Sequence, residues 1–135
     1  MRRFLLLAAC ALALVGCGIA ESVDAAEDAV VVFHEQYNAG SFGEMYDVGG
    51  DDLRSTETRD DFMTTMASLR TTLGSMRESK RTAFNARVGS DGTFVELEHV
   101  TEFENGTGTE EFTWEISGGR ARLLGYSVDA RALLR

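Results

Sequence analysis

The chain has 135 residues, a formal net charge of −9, 14 glycines, no proline and two cysteines. That length allows one domain, and the acidic balance argues against a nucleic-acid partner, whose phosphates are bound mainly by Lys and Arg. Two cysteines are too few for a disulfide-stapled scaffold or a structural zinc site, whereas a hydrophobic content of 44% suffices for a packed core.

The first sixteen residues have the pattern of a bacterial secretion signal. Two arginines are followed by an unbroken apolar run at positions 4–15, which is shorter than the roughly 20 residues that a membrane span needs. The run leads into Leu14-Val15-Gly16-Cys17, and these four residues resemble the lipobox of bacterial lipoproteins. The resemblance implies cleavage before Cys17, a lipid on its thiol and acylation of the new amino terminus. The alternative is an ordinary secretory signal in which the cysteine is a coincidence.

Processing at Cys17 changes the composition of the protein. Removing residues 1–16 from the 135 leaves 119, and the loss of two arginines takes the formal charge from −9 to −11. Cys10 leaves with the signal and Cys17 is acylated, so no thiol remains for catalysis. Two or more acyl chains anchor a protein stably, and Gly18 in place of an aspartate implies the periplasmic face of the outer membrane if the host is Gram-negative. We divide the chain into a signal peptide, a lipidated tether and one domain, at 1–16, 17–21 and 22–135.

The first half of the domain has the period of amphipathic helices. Apolar residues recur at intervals of four and three residues, which predicts a helix over 22–38. The same spacing predicts a later helix, with Thr58 as its N-cap and Gly74 as its end. Between the two, the spacing of Ser41 and Glu44 predicts a capping box at the start of a short helix.

After Gly74 the period changes to two, which predicts four antiparallel strands joined by hairpins. The turn signals are Ser90-Asp91-Gly92, Asn105-Gly106 and Gly118-Gly119. In the last hairpin a two-residue loop pairs opposite charges outside and apolar groups inside, Glu115 with Arg122 and Trp114 with Leu123. The same register sets Phe112 opposite Gly125.

Three helices followed by four antiparallel strands predict an α+β fold, in which the helices pack on a strongly curved sheet and form a cone-shaped roll. Four segments, 33–42, 73–75, 111–114 and 124–126, resemble the nuclear transport factor 2-like superfamily, also called cystatin-like. Within it, the closer resemblance is to small bacterial lipoproteins and secreted proteins of unknown function. The similarity extends over about residues 25–129, and its motifs are structural, so it implies a fold and no particular activity.

His99 is the candidate catalytic residue. It lies on the apolar face of the second predicted strand, opposite Phe112 or Trp114 depending on the length of the loop at Asn105. Some enzymes of the resembled superfamily use an acid–base pair inside the cone, and a histidine there can transfer protons near neutral pH. We favour the alternative, a structural histidine with a buried hydrogen bond, because no Asp or Glu of the inner face is spaced as its partner.

Three residues form the candidate ligand-binding set, namely Tyr37 on the first helix together with His99 and Trp114 inside the cone. His34 lies one turn from Tyr37, and the two either line the mouth of the pocket or, as we favour, place Tyr37 in the core with His34 beside it. The zinc motif H-E-x-x-H is absent, because Asn38 stands where its second histidine is needed. With two histidines and no thiolate, we expect neither a metal site nor a cofactor.

Acidic residues concentrate on the outer face of the predicted sheet. No loop has the Asp and Asn spacing of a calcium motif, so we favour a solvated face over a Ca²⁺ site or a surface for a basic partner. Seven glutamates are assigned to this face: Glu96, Glu98, Glu102, Glu104, Glu110, Glu111 and Glu115.

The fourth predicted strand carries a second apolar stripe, formed by Leu124, Tyr126 and Val128, on the face opposite Leu123. An uncovered stripe of this kind marks an interaction surface. Either residues 130–134 fold over it, or it contacts a protein partner or a second copy of the chain.

The sequence favours a non-catalytic envelope lipoprotein that is held to the membrane by the lipid on Cys17 and binds a small ligand in the cone or a protein partner. One alternative is a small enzyme of the isomerase or dehydratase type, with His99 as acid or base and Tyr37 as hydrogen-bond donor; the lack of an inner carboxylate counts against it. The other alternative is a structural or assembly subunit of an envelope complex, joined through the sheet to an envelope protein or in a homodimer. We expect no nucleic-acid partner.

Overall fold

We describe the protein from a computed structural model. It covers residues 2–130, with side chains from residue 18 onward, so the predicted lipidation of Cys17 and nearly all of the predicted cover, 130–134, lie outside the described side chains. Helices precede strands, which confirms the predicted α+β class. The elements are α1 (Arg2–Ala39), α2 (Phe42–Asp47), α3 (Asp51–Thr56), α4 (Arg59–Leu73), β1 (Met76–Gly89), β2 (Gly92–Phe103), β3 (Gly106–Ser117) and β4 (Arg120–Asp129).

Two helices differ from the prediction. Helix α1 begins at Arg2 and not near Ser22, because the alanine- and leucine-rich run before it has high helix propensity and contains no proline. Helix α3 occupies residues 51–56, where none was predicted, and it buries one side chain, Leu53. A six-residue helix with a single buried position has no repeating apolar period for the sequence to reveal.

The two predicted helix caps have different outcomes. Thr58 is the N-cap of α4, and its hydroxyl accepts a hydrogen bond from the Asp61 N–H at 3.2 Å, as predicted. The capping box at Ser41 and Glu44 is wrong, because the Ser41 side chain makes no cap hydrogen bond. The Ser41 N–H instead donates to the Gln36 carbonyl at 2.9 Å. That bond closes the end of α1 and holds Ser41 outside the extended conformation that a side-chain cap needs.

The sheet has the strand order β1-β2-β3-β4, with every neighbouring pair antiparallel. The β2–β3 turn lies at residues 104–105, and not at Asn105-Gly106, so that His99 faces Glu110. The prediction that His99 faces Phe112 or Trp114 is therefore wrong. The end of α4 sets this register, since the Asn105 N–H donates to the Leu73 carbonyl at 3.0 Å, a contact between residues far apart in sequence.

The last hairpin is as predicted near its turn, where Glu115 pairs with Arg122 and Trp114 with Leu123. Farther along, the predicted pair of Phe112 with Gly125 is wrong, because a bulge at Leu124 shifts the register and Phe112 faces Tyr126. The bulge lies beside Leu123, whose carbonyl accepts the Gly50 N–H at 2.9 Å.

The bulge also removes the predicted apolar stripe on the fourth strand. An extra residue reverses the alternation of side chains beyond it, so Tyr126 and Val128 lie on the same face as Leu123 and pack against the core. Leu124 stays on the opposite face and approaches Gly50 at the start of α3. The stripe predicted on the face opposite Leu123 therefore does not form.

Aromatic rings fill the space between α1 and the concave face of the sheet. Phe33 of α1 meets the Phe112 ring edge-on, with centroids 5.1 Å apart, and Phe112 stacks on Trp114 at 5.9 Å and 11°. The predicted apolar stripe of α1 is buried against them. The stripe consists of Ala26, Val30, Phe33 and Tyr37.

Thr58, whose side chain caps α4, and Ser41, whose side chain makes no cap bond, provide a matched pair of variants. Thr58→Ala should lower the free energy of unfolding by about 1 kcal/mol, because the Asp61 N–H loses its acceptor. Ser41→Ala should leave it within about 0.5 kcal/mol, since no cap bond is lost. Urea unfolding followed by circular dichroism measures both values. Equal losses of unfolding free energy in the two variants would contradict the assignment of a side-chain cap to Thr58 and of none to Ser41.

Candidate functional site

The inner face of the sheet contains a carboxylate that is almost completely removed from solvent. Glu110 of β3 is 1% exposed. Its Oε1 accepts from His34 Nε2 at 2.7 Å and from the Thr101 hydroxyl at 2.5 Å, and its Oε2 accepts from the Tyr126 hydroxyl at 2.5 Å. The three donors come from α1, β2 and β4, so one side chain connects the helix to three neighbouring strands.

These hydrogen bonds determine the ionisation of the cluster. Burial raises the pKa of Glu110, but the hydrogen bonds and charge from His34, with the hydroxyls of Thr101 and Tyr126, outweigh it and hold that pKa below its ordinary value. Burial, and then the charge of Glu110, raises the pKa of Tyr126 well above its ordinary value. Glu110 is therefore a carboxylate and Tyr126 a phenol donor. Because a carboxylate only accepts, His34 must carry a proton on Nε2.

A second branch of the network reaches the other histidine. His99 Nδ1 lies 2.9 Å from the Ser79 hydroxyl, which lies 2.8 Å from the Thr101 hydroxyl. His99 Nε2 lies 3.2 Å from Glu27 Oε1 on α1. Arg81 approaches the same Glu27 oxygen at 3.6 Å. The branch thus extends from the buried Glu110 to an ion pair at the protein surface.

Counting protons defines the state of His99 in which every bond of this branch is made. Thr101 has one hydroxyl proton and gives it to Glu110, so Ser79 must donate to Thr101. His99 must then donate to Ser79 through Nδ1, and also to ionised Glu27 through Nε2. The complete network therefore contains His99 as an imidazolium, and a neutral ring leaves one of these bonds unmade.

Both histidines line an open groove between α1 and β1, with a cavity volume of about 370 Å³. They are nevertheless nearly buried, at 3% exposed for His34 and 4% for His99, so each ring presents only an edge to the groove. Ser79 and Glu27 also line it. Its other charged residues are Glu35, Glu78 and Arg77, which makes the wall rich in hydrogen-bond acceptors.

The structure corrects the expectation that the inner face has no carboxylate near His99. Glu110, assigned from the sequence to the outer face, lies on the inner face directly opposite His99. Its position was detectable, because Glu110 is two and four residues from Phe112 and Trp114 and so shares their side of the strand. The other six glutamates of the predicted outer face are exposed or half-buried.

The three residues of the predicted ligand-binding set do not line one cavity. His99 lines the groove, Trp114 lines a different cavity of about 260 Å³, and Tyr37 lines neither of these two. The Tyr37 hydroxyl donates to the Gly74 carbonyl at 2.9 Å, and burial raises its pKa to about 12. Tyr37 is thus a core residue that holds α1 to the end of α4, which is the reading favoured above. Its neighbour His34, favoured above as a flanking residue, instead binds Glu110 and reaches the groove.

Among the side chains of residues 18–130, no group of three or more His, Cys, Asp or Glu residues is arranged to hold a metal ion. Within the part of the chain that the structure describes, no helix is both long enough and apolar enough to cross a membrane.

Residues 29–126 match the model of a family described as a protein of unknown function, DUF4019. The match spans well over half of the chain, so the protein belongs to this family. It includes every residue of the buried network except Glu27. A search of curated proteins found no match.

Replacing the buried carboxylate tests its contribution to folding. Glu110→Gln replaces one accepting oxygen by an amide group that donates, so at least one of the three buried donors loses its acceptor. We expect the variant to lower the free energy of unfolding at neutral pH by about 3 kcal/mol. The matched control is Glu111→Gln, one residue along on the exposed face, which should change it by less than about 0.5 kcal/mol. Urea unfolding measures both.

The same pair of variants tests the direction of the pKa shift. Because the folded pKa of Glu110 is lowered, its stabilising contribution is fully present above the ordinary glutamate pKa of about 4.3 and is lost as the pH falls through the folded value. The stability difference between the native chain and Glu110→Gln should therefore shrink on acidification. A difference that stays constant or grows would contradict an ionised Glu110.

Proposed function

We propose that the protein is a lipid-anchored binding module of the bacterial cell envelope and that the α1–β1 groove is its ligand site. The observation that carries this proposal is the position of His34 and His99, which both line the groove and are both hydrogen-bonded to carboxylates. Such a site is pre-organised, because hydrogen bonds on the buried side of each histidine ring hold the ring in place before a ligand binds.

The charge of the groove wall favours one class of ligand. Three glutamates and one arginine line it, and His34, whose Nε2 donates to Glu110, offers a lone pair on Nδ1 when the ring is neutral. Even with His99 counted as an imidazolium, three carboxylates stand against two cationic side chains, so the wall keeps a net negative charge. A small molecule that carries an amine or ammonium group complements this charge best.

The lipobox supports the membrane anchor. Helix α1 is continuous from the segment that contains Cys17 into the wall of the groove, so a lipid on Cys17 would hold the ligand site near the bilayer surface. Gly18 favours the periplasmic face of the outer membrane in a Gram-negative host. The order of helices before a curved four-stranded antiparallel sheet supports the proposal that the domain is nuclear transport factor 2-like.

A second candidate function is favoured by one observation. The buried Glu110–His34 pair supplies the inner carboxylate that the enzyme alternative lacked, and a carboxylate that fixes the tautomer of a histidine is an arrangement suited to general-base catalysis. His34 would be the base in that case, in place of His99. We favour binding over catalysis because aromatic rings fill the cone and the groove is open to water, whereas proton-transfer enzymes gain from excluding it.

Lipid attachment is tested by metabolic labelling with an alkyne analogue of palmitate in a bacterial host. The native chain and Cys10→Ser should incorporate the label and appear in the membrane fraction, because Cys10 lies in the discarded signal. Cys17→Ser should incorporate none. Label retained in Cys17→Ser would contradict the proposed anchor.

Ligand binding is tested by titrating the full chain in lipid nanodiscs with ethanolamine and putrescine, while the ring resonances of the two histidines are followed by NMR. Saturable shifts of both rings are expected. Glu78→Gln should weaken binding about threefold, as for one exposed charge pair, and the outer-face variant Glu96→Gln should not.

Two other results would change the assignment. Unchanged histidine resonances with both amines would contradict the proposed amine site. Conversion of an amine to a product, lost in His34→Gln and kept in Glu96→Gln, would establish the enzyme alternative.

A further inference from the structure

Besides the groove, α1 borders a second cavity with the opposite chemistry. It lies between α1, α2 and the β3–β4 hairpin and has a volume of about 260 Å³. Its walls are mainly apolar and include Val32, Phe33, Met45 and Leu123. We call it the Trp114 pocket, because that indole forms part of the wall.

Trp114, which forms part of this wall, has an unpaired side-chain donor. The side chain is 4% exposed, and its Nε1 is buried without an acceptor among the described residues. A buried donor left unpaired costs about 1–3 kcal/mol, and the large majority of such groups have a partner. An acceptor supplied by a bound molecule would remove that cost.

The charge of the Trp114 pocket also favours a ligand that carries a hydrogen-bond acceptor. Arg120 is the single charged residue among those that line it, in a chain whose formal charge is −9. Gln36 is the remaining polar side chain of the wall, and neither Gln36 nor Arg120 makes a side-chain hydrogen bond or an ion pair within residues 18–130. Three residues that carry donor groups therefore line a pocket that has no carboxylate.

The rim extends the apolar surface outward. Val32 and Val48 line the pocket and are 50% and 65% exposed. A ligand with an apolar body would cover them while its charged end remained near Arg120.

We propose that the Trp114 pocket binds a small amphipathic carboxylate, whose oxygens accept from Trp114 Nε1 and pair with Arg120 while its hydrocarbon body packs against Val32 and Phe33. This site is separate from the groove and goes beyond the function proposed above. If no amine binds in the groove, the proposed carboxylate site still stands. If no carboxylate binds in the Trp114 pocket, the proposed amine site still stands.

The chain contains one tryptophan, so the ¹⁵N-labelled protein gives a single indole N–H resonance that reports on the pocket directly. The full chain in lipid nanodiscs is titrated with hexanoate, which has eight heavy atoms, and with hexanamide, which has the same shape without the charge. Hexanoate should shift the indole proton downfield in a saturable manner. Hexanamide should bind about fivefold more weakly, because it cannot pair with Arg120.

Two arginines of β4 provide the matched variants. Arg120→Gln should weaken hexanoate binding about fivefold and bring it to the level of hexanamide. Arg122→Gln removes an equal charge beside Glu115 on the outer face and should leave binding unchanged. Trp114→Phe keeps the ring but loses the donor, and calorimetry should show weaker binding of hexanoate.

Three results would overturn the proposal. They are an indole resonance that does not respond to hexanoate, equal affinities for hexanoate and hexanamide, and equal effects of Arg120→Gln and Arg122→Gln. None of these three results requires Trp114→Phe to fold, because they are measured on the native chain and on the surface variants Arg120→Gln and Arg122→Gln.

Discussion

The structure depends on the burial of one negative charge. Removing a carboxylate from water costs several kcal/mol, and only directional hydrogen bonds repay it. Glu110 receives three of them, from His34, Thr101 and Tyr126. Apolar packing alone tolerates small shifts of a helix on a sheet, whereas these bonds require α1, β2, β3 and β4 to keep one mutual arrangement.

The same requirement links stability to the groove. His34 is hydrogen-bonded to Glu110 through one ring nitrogen and also lines the groove. His99 lines the groove as well, and Ser79 connects it by hydrogen bonds to Thr101. Displacing either ring would therefore break hydrogen bonds on its buried side. The residues that would meet a ligand are the residues that hold the helix to the sheet.

Helix α1 separates two cavities of opposite character. The groove on its β1 side is rich in carboxylates, and the Trp114 pocket on its β4 side offers donors and apolar walls. Amphipathic spacing explains this division, because residues such as His34 and Phe33 are adjacent in sequence yet about 100° apart around a helix. One helix thus positions both sites relative to the proposed anchor at Cys17.

Features determined by neighbouring residues were predictable from the sequence. The period of α1, the Thr58 cap and the turn of the last hairpin each depend on a few consecutive side chains. The two-residue loop at Gly118-Gly119 fixes its own pairs, Trp114 with Leu123 among them, because both strands leave the turn directly. The inward position of Glu110 was also readable from its spacing to Phe112, although that residue was assigned from the sequence to the outer face.

Long-range contacts decided the rest. The β2–β3 turn lies one residue earlier than the Asn-Gly signal predicts, because the end of α4 binds the Asn105 backbone, and that shift brings Glu110 opposite His99. The bulge at Leu124, beside the Gly50 contact, turns Tyr126 inward to the same carboxylate. The sequence by itself determined the order of helices before strands and most of the elements. The meeting of Glu110 with its three donors was decided by tertiary structure, since a one-residue change of register moves a side chain to the other face of a sheet.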